Sequence, residues 1–345
     1  MANILILRFS AIGDVAMTVP VVDSLARQHP ENRYTVVSQP FLSPLFANCP
    51  DNVEFYGVEL KGRHKGIAGI RRLYAELRKN RFDAVADLHD VLRTKLLRLM
   101  FRFDGMKVKH IDKGRREKRM FISGKRRHPL KTSTERYADV FRSLNLPVTV
   151  VFRSVFGQGK GDISSIEAIT GRKKGKWIGI APFAKHPGKI YPIDRTERVV
   201  EYFSAQNDTT LFLFGGGDAE KRLLEEWSAR YPRTVSMAGK CRLSDELALI
   251  SHLEVMLSMD SANMHLASLT ATPAVSVWGA THPGVGFYGY RQPSDYAVQR
   301  DLPCRPCSIY GNKPCRRKDF ACMMQISAEE VIRALEKSMA FLPHS

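Results

Sequence analysis

Long hydrophobic runs are missing from this 345-residue sequence. No stretch approaches about eighteen consecutive uncharged apolar residues, which argues against a membrane-spanning helix. The first residues also lack the charged and apolar regions of a secretory signal peptide, so we expect a cytoplasmic protein. Low-complexity tracts and internal repeats are absent as well. A hydrophobic content of 44% is that of a globular chain, and the length allows two domains of ordinary size.

Acidic residues are scarce relative to basic ones. The chain has 35 Asp and Glu against 53 Lys and Arg, a formal net charge of +18. Residues 60–130 hold 22 of the basic residues and only 7 acidic ones. Such a block favours a nucleic acid, an anionic membrane surface or a phosphorylated substrate, and the plainer interpretation is a solvated surface. Few aromatic residues interrupt the block and no recognised nucleic-acid-binding motif accompanies it, so we expect no nucleic-acid partner.

Cysteine is also rare, and most of it lies in one segment. Four of the six cysteines cluster there: Cys304, Cys307, Cys315 and Cys322. A C-x-x-C pair with two further thiols downstream resembles a structural zinc site, but the second pair is spaced too widely for the usual pattern. Free thiols are favoured in a reducing compartment, whereas zinc and a disulfide remain open.

Two common nucleotide-binding fingerprints are missing. The glycines Gly215, Gly216 and Gly217 are contiguous and match neither G-x-G-x-x-G nor a P-loop. Dinucleotide oxidoreduction and ATP hydrolysis are therefore not supported.

What the sequence does contain is a regular alternation of β-like runs with segments of helical length. This alternation is typical of parallel βαβ units. Five runs precede a glycine-rich polar stretch at residues 156–165, and five follow it; they read NILILRF, RYTVVSQ, VEFYGVEL, DAVADLH and KVKHID, then WIGIAPF, TLFLFGG, TVSMAG, VMLSMDS and PAVSVWGA. We therefore predict two Rossmann-like doubly wound α/β domains facing across a cleft, residues 1–160 and 161–345. A capping box of Ser327 and Glu330 predicts a last helix over residues 327–341.

A single carboxylate marks the first strand-to-helix turn. The run that ends at Leu7 is followed by RFSAIGD, so Asp14 lies where a helix should begin. In open α/β sheets, ligands bind at the carboxyl ends of the strands. Asp14 is therefore a candidate for catalysis.

Three stretches of the second half are suited to a phosphate-bearing ligand. In VMLSMDSANMHLASL a strand leads into a helix at Asp260 and Ser261, with Asn263 and His265 following; the alternative is a plain helix cap and a packed histidine. In APFAKHPGKIYP the two lysines Lys185 and Lys189 suit a diphosphate. In FLFGGGDAEK, Glu220 is placed to accept hydrogen bonds from a ribose.

Four of these motifs occur in the order and spacing of one family. RFSAIGD, PFAKHPGKIYP, LFGGGDAE and MDSANMHLAS together resemble the ADP-heptose:lipopolysaccharide heptosyltransferases of glycosyltransferase family 9, over nearly the whole chain. The resemblance implies a GT-B enzyme that moves a heptose from ADP-heptose to the lipopolysaccharide inner core, with inversion and without a required metal or other cofactor. A basic nucleic-acid-binding protein and a GT-B transferase that uses another sugar nucleotide are the alternatives.

The resemblance also assigns roles. Asp14 matches the family's catalytic base, Lys189 its phosphate-binding lysine and Asp260 its acid at the donor sugar, while Glu220 matches a ribose contact. The further donor-binding candidates are Lys185, Ser261, Ala262, Asn263 and His265; Ser-Ala-Asn stands where many members have Thr or Ser followed by Gly.

The acceptor is expected at the first domain. Its candidate contacts are Ser10, Gly13, Arg93 and Arg126. Residues 113–132 are predicted to be an exposed, mobile loop in which Lys125, Arg126 and Arg127 grip a phosphorylated lipid. A helix over residues 91–103 is predicted to show Lys95, Arg98 and Arg102 on one face, with Leu99 and Phe103 turned largely elsewhere. We expect a monomer at the inner face of the inner membrane.

Overall fold

The computed structural model describes residues 1–126 and 128–340. The chain divides into two compact units. The first contains residues 1–115 and 131–155, and the second contains residues 116–130 and everything from residue 156 onward. Each unit is described by itself below.

The first unit is built on a five-stranded parallel sheet in the order β3-β2-β1-β4-β5. The elements up to residue 155 are β1 (Asn3–Leu7), α1 (Ile12–Ala16), α2 (Val19–Gln28), β2 (Arg33–Ser38), β3 (Val53–Gly57), α3 (Gly66–Arg78), β4 (Ala84–Asp87), α4 (Leu92–Phe103), β5 (Lys107–His110), α5 (Arg115–Ile122) and α6 (Ser133–Arg142). The chain runs outward from β1 to β3 and then returns to β4 on the other side of β1. The strand order therefore reverses between β1 and β4.

The second unit is built on a six-stranded parallel sheet in the order β11-β10-β9-β6-β7-β8. Its elements are α7 (Glu167–Thr170), β6 (Lys176–Ala181), α8 (Ile193–Ser204), β7 (Thr209–Leu213), α9 (Asp218–Arg230), β8 (Thr234–Ser236), α10 (Leu243–Ser251), β9 (Val255–Met259), α11 (Ala262–Leu269), β10 (Ala274–Trp278), β11 (Ala297–Gln299), α12 (Ala321–Met324) and α13 (Ala328–Ala340). Here the order reverses between β6 and β9.

The ten predicted strands are all present. Most of them are buried, whereas the edge strands β3 and β5 of the first sheet are largely half-buried or exposed. β9 and β10 are buried at every residue. The short edge strand β11 was not predicted, since its three half-buried residues carry no apolar pattern. The capping box of α13 is confirmed: Glu330 N donates to Ser327 Oγ at 3.3 Å and Ser327 N to Glu330 Oε2 at 2.9 Å. Phe341, the predicted end of that helix, lies outside the described residues.

The prediction of a mobile loop over residues 113–132 is wrong for its first half, where α5 forms. Phe121 is buried with Leu130 and Val285 in a small apolar cluster. The Lys118 ammonium lies 4.0 Å from the centre of the Phe287 ring. These contacts explain why residues 116–130 group with the second unit, although most of their neighbours in sequence belong to the first.

None of the helices in the described ranges is both long and apolar enough to cross a bilayer.

Candidate functional site

Both units place candidate residues at the point where their strand order reverses. In the first unit Asp14 follows β1 and residues 88–90 follow β4, the two strands on either side of the reversal. In the second unit Lys189 follows β6 and Asp260 follows β9. The crevice at such a reversal is where open parallel sheets bind ligands.

Asp14 lies in the first turn of α1, as the sequence predicts. Its Oδ2 accepts a hydrogen bond from Ala11 N at 3.2 Å and lies 2.8 Å from Arg8 Nη2. The Asp14 side chain is 37% exposed, whereas that of Arg8 is only 7% exposed. The carboxylate is therefore held from the protein side and open to a ligand from the solvent side.

Arg8 is itself fixed in place. Its Nη1 donates to the Leu88 carbonyl at 2.8 Å, and its guanidinium carbon lies 5.8 Å from the centre of the Tyr137 ring. The Tyr137 hydroxyl donates to the Asp14 carbonyl at 3.4 Å. The position of Asp14 thus depends on β1, the end of β4 and α6.

Sequence reasoning missed the side chains at the end of β4. His89 is half-buried, and its Nδ1 accepts a hydrogen bond from Phe9 N at 3.3 Å. Burial, followed by the nearby cations Arg8 and Lys113, lowers the pKa of His89 to about 3, so its imidazole is neutral at physiological pH. The stretch DAVADLHD ends a buried strand with a histidine between acids, and that signal was available in the sequence.

Asp90 forms ion pairs with basic residues near the end of β4. Arg98 Nη2 lies 3.2 Å from its Oδ1, and Arg115 Nη2 lies 3.0 Å from its Oδ2. Lys113 Nζ donates to its carbonyl at 3.1 Å, and burial lowers the pKa of Lys113. Part of the basic block is thereby paired within the protein.

The four acceptor-binding candidates separate in the structure. Ser10 and Gly13 flank Asp14 on the β1–α1 turn, and Arg93 is exposed in the first turn of α4, which follows the end of β4. Arg126 instead belongs to the segment that groups with the second unit. Arg127 lies outside the described residues.

In the second unit Lys189 and Asp260 form a close ion pair. Lys189 Nζ lies 2.7 Å from Asp260 Oδ2, and the Lys189 and Asp260 side chains are 16% and 5% exposed. Thr281 Oγ1 donates to the same carboxylate oxygen at 2.8 Å. Two residues that the sequence assigned to one ligand are therefore in direct contact.

The helix N-terminus beside this pair is present as predicted. Ser261 precedes α11 and does not cap it; its hydroxyl lies 3.1 Å from that of Ser258. Ala262 and Asn263 form the first turn, where backbone N–H groups lack partners within the helix and attract anions. His265 is buried. It packs among the buried residues of the helix, whereas Ser261 is partly exposed.

Glu220 and Lys185 follow the two neighbouring strands β7 and β6, with Glu220 in the first turn of α9. Glu220 Oε2 accepts a hydrogen bond from Gly216 N at 2.7 Å, so this carboxylate closes the glycine loop after β7. Gly215 has no room for a side chain, because a Cβ there would stand 2.9 Å from the Leu224 side chain and 3.3 Å from that of Phe183. Lys185 is exposed in the loop after β6.

The cysteine segment contains no disulfide within the described residues. All six cysteines are free thiols. Cys307 Sγ donates to the Cys304 carbonyl at 3.1 Å, and burial raises the pKa of Cys307 and of Cys322. Within residues 1–126 and 128–340, no three His, Cys, Asp or Glu side chains are arranged to hold a metal ion.

Comparison with known proteins agrees with this architecture. The chain is 25% identical to the lipopolysaccharide core heptosyltransferase OpsX of Haemophilus influenzae over 300 residues, 81% of this chain and 80% of that protein. The crystal structure of a family 9 glycosyltransferase from Veillonella parvula matches with a TM-score of 0.76 at 18% identity, covering 98% of this chain and 97% of that one. The ADP-heptose heptosyltransferase II of Escherichia coli matches with a TM-score of 0.70 at 18% identity, covering 98% of both chains.

These structural matches confirm the predicted GT-B fold class with two Rossmann-like sheets. The family model for glycosyltransferase family 9 (heptosyltransferase) matches residues 70–315, well over half of the chain. The chain therefore belongs to glycosyltransferase family 9, the heptosyltransferases of lipopolysaccharide biosynthesis.

Proposed function

We propose that this enzyme transfers a heptose from ADP-heptose to the inner core of lipopolysaccharide, a Kdo-lipid A or heptosyl-Kdo-lipid A acceptor, with inversion of the anomeric centre. Family membership supports the heptosyl transfer, and the name of the E. coli structural relative supports ADP-heptose as donor. The observation that carries the mechanism is the partly exposed Asp14 carboxylate, held by Arg8 at the reversal point of the first sheet.

In the proposed reaction the acceptor hydroxyl attacks the anomeric carbon opposite the diphosphate. A carbon–oxygen bond to the acceptor forms as the bond to the diphosphate breaks, and the hydroxyl proton passes to Asp14. One displacement needs one base, which contributes about 10²–10⁴-fold to the rate. Arg8 keeps the carboxylate oriented, since it contacts Oδ2 at 2.8 Å.

The donor is assigned to the second unit. Lys189 is placed to turn from Asp260 towards the diphosphate, and Asp260 then accepts hydrogen bonds from heptose hydroxyls. The first-turn N–H groups of α11, with the Ser261 and Asn263 side chains, add donors to the phosphates. Glu220 is assigned to the ribose, and Lys185 provides longer-range positive charge.

We further propose that no metal is required. Lysine and a helix N-terminus stabilise the negative charge that develops on the leaving diphosphate. Because the acceptor is lipid-anchored, the monomer is proposed to work at the inner face of the inner membrane.

The test is a transfer assay with purified protein. ADP-heptose and a Kdo-lipid A acceptor should give one added heptose by mass spectrometry, with the anomeric configuration inverted by NMR and the rate unchanged in EDTA. Parallel reactions with UDP- and GDP-linked sugars identify the donor. Retained configuration, loss of the rate in EDTA, or a preference for another sugar nucleotide would each contradict the corresponding part of the proposal.

A further inference from the structure

The outward face of α4 carries three large apolar side chains in the open. Leu92 is 75% exposed, Leu99 51% and Phe103 84%. Because an α-helix advances about 100° per residue, these three positions fall within about 40° of one another around the helix. They form one continuous ridge along the helix, which we call the α4 ridge.

The other face of α4 is firmly packed. Thr94, Leu97 and Phe101 are buried, and the Phe101 ring contacts Tyr74 of α3 edge-on with 5.1 Å between centroids. The ridge is therefore presented by a fixed helix of the fold. Leu99 and Phe103 point outward and do not join the packed face.

Cations border the ridge on both sides. Arg102 and Lys95 lie on one flank and Arg93 on the other, and all three are exposed. The helix contains no acidic residue. Arg98 does not belong to this surface: it is 11% exposed and contacts Asp87 and Asp90, contrary to the predicted basic face.

This combination selects one kind of occupant. A helix that lies in a lipid interface presents large apolar residues at its centre and Lys or Arg at its borders. A second copy of the chain would bring two cationic helices together, which repel each other. A nucleic acid would leave Leu92, Leu99 and Phe103 without an apolar partner.

We propose that the α4 ridge docks on an anionic bilayer, with its apolar side chains below the headgroups and its cations among them. This inference rests on the proposed function only in that a lipid-anchored acceptor requires the enzyme at a membrane. It goes further by assigning the contact to one helix of the first unit.

Vesicle sedimentation tests the assignment. Wild-type protein should bind phosphatidylglycerol-containing vesicles at low salt, more weakly at high salt and poorly to pure phosphatidylcholine. The triple variant Leu92→Ser, Leu99→Ser, Phe103→Ser should lose at least about a hundredfold in partitioning, since three large apolar side chains no longer enter the interface. Arg102→Gln should lose about fivefold.

Matched controls come from the second unit. Met324→Ser removes an apolar side chain about as exposed as Leu99, and Lys221→Gln removes an exposed cation on another helix; both should bind like wild type. Unchanged melting temperatures would show that the variants fold, because the substituted side chains are exposed.

An acceptor without acyl chains separates this inference from the proposed function. The triple variant should keep wild-type activity on that soluble acceptor and lose activity on acceptor in vesicles. Wild-type-like vesicle binding by the triple variant, or no binding by the wild type, would overturn the inference. A dimer that the triple substitution abolishes would overturn it too, in favour of a second copy. Inactivity of the wild type on both acceptors would instead overturn the proposed function. The vesicle-binding result alone would then decide whether the α4 ridge docks on a bilayer.

Discussion

At the residue scale, two ion pairs hold the side chains that the proposed transfer needs. Arg8 holds Asp14, and Lys189 holds Asp260. The first pair leaves its carboxylate partly exposed, whereas the Asp260 carboxylate is 5% exposed. In the proposed donor site the diphosphate competes with Asp260 for Lys189, so the affinity for ADP reports on this lysine.

Replacing Lys189 should weaken ADP binding. Lys189→Ala removes a charge-assisted hydrogen bond, and we expect a loss of about 1.5–3 kcal/mol in binding free energy by calorimetry. The matched change Lys185→Ala should cost less, since Lys185 is exposed in the same loop. A larger effect at Lys185 would mean that the phosphate-binding lysine has been misassigned.

The lysine substitution also strips Asp260 of its cation, so a second variant is needed. Lys189→Ala combined with Asp260→Asn avoids an unpaired buried carboxylate and should fold with a melting temperature nearer to that of the wild type. Its ADP affinity should stay low. Recovery of affinity in the double variant would show that Lys189 acts only by neutralising Asp260.

The half-buried His89 makes stability depend on pH. Its pKa is lowered to about 3, against an ordinary value near 6.5, so between these values the unfolded chain binds a proton that the folded protein excludes. His89 therefore costs the folded protein no stability above about pH 6.5. Below that pH it lowers the free energy of unfolding by up to about 1.4 kcal/mol per pH unit. In urea unfolding, the free energy of unfolding of His89→Gln should fall less between pH 7.5 and pH 5.5 than that of the wild type. The exposed His128→Gln should behave like the wild type, and an equal loss in all three proteins would refute the role of His89.

At the element scale, α5 depends on contacts that its own composition does not suggest. The segment is strongly basic, but Phe121 is 8% exposed and its ring lies 5.4 Å from that of His282. Phe121→Ala should destabilise this packing by about 3–5 kcal/mol, the usual range for a buried aromatic side chain. Limited proteolysis should then cut within residues 115–130, whereas Met120→Ala, at a more exposed neighbour, should leave the segment resistant. Equal resistance of both variants would contradict the packed helix.

The elements that could be predicted are those with a strong local pattern. Ten strands and the strand-to-helix turns at Asp14 and Asp260 follow from apolar runs, and the last helix follows from its capping box. The remainder depended on contacts distant in sequence. α5 is covered by residues 282–287, Arg98 is drawn inward by Asp87 and Asp90, and β11 exists only because β10 offers it an edge.

At the scale of the whole molecule, each unit repeats one arrangement with different chemistry. The first places a carboxylate and a neutral histidine at its reversal point, and the second places a lysine, a carboxylate and a helix N-terminus at its own. The net charge of +18 does not identify these sites. Within the basic block of residues 60–130, some side chains form ion pairs with Asp90, and others lie on the exposed face of α4.

The central claim is that Asp14 is the base of the transfer, and Asp14→Asn tests it most directly. The variant keeps the side-chain shape and an oxygen for Ala11 N and Arg8 Nη2 but loses the negative charge beside Arg8, so we expect the same fold at a somewhat lower melting temperature and unchanged ADP affinity. Turnover under saturating ADP-heptose and acceptor should fall by at least about a hundredfold, the scale of a lost general base. Near-wild-type turnover in a folded, ADP-binding Asp14→Asn protein would contradict the account.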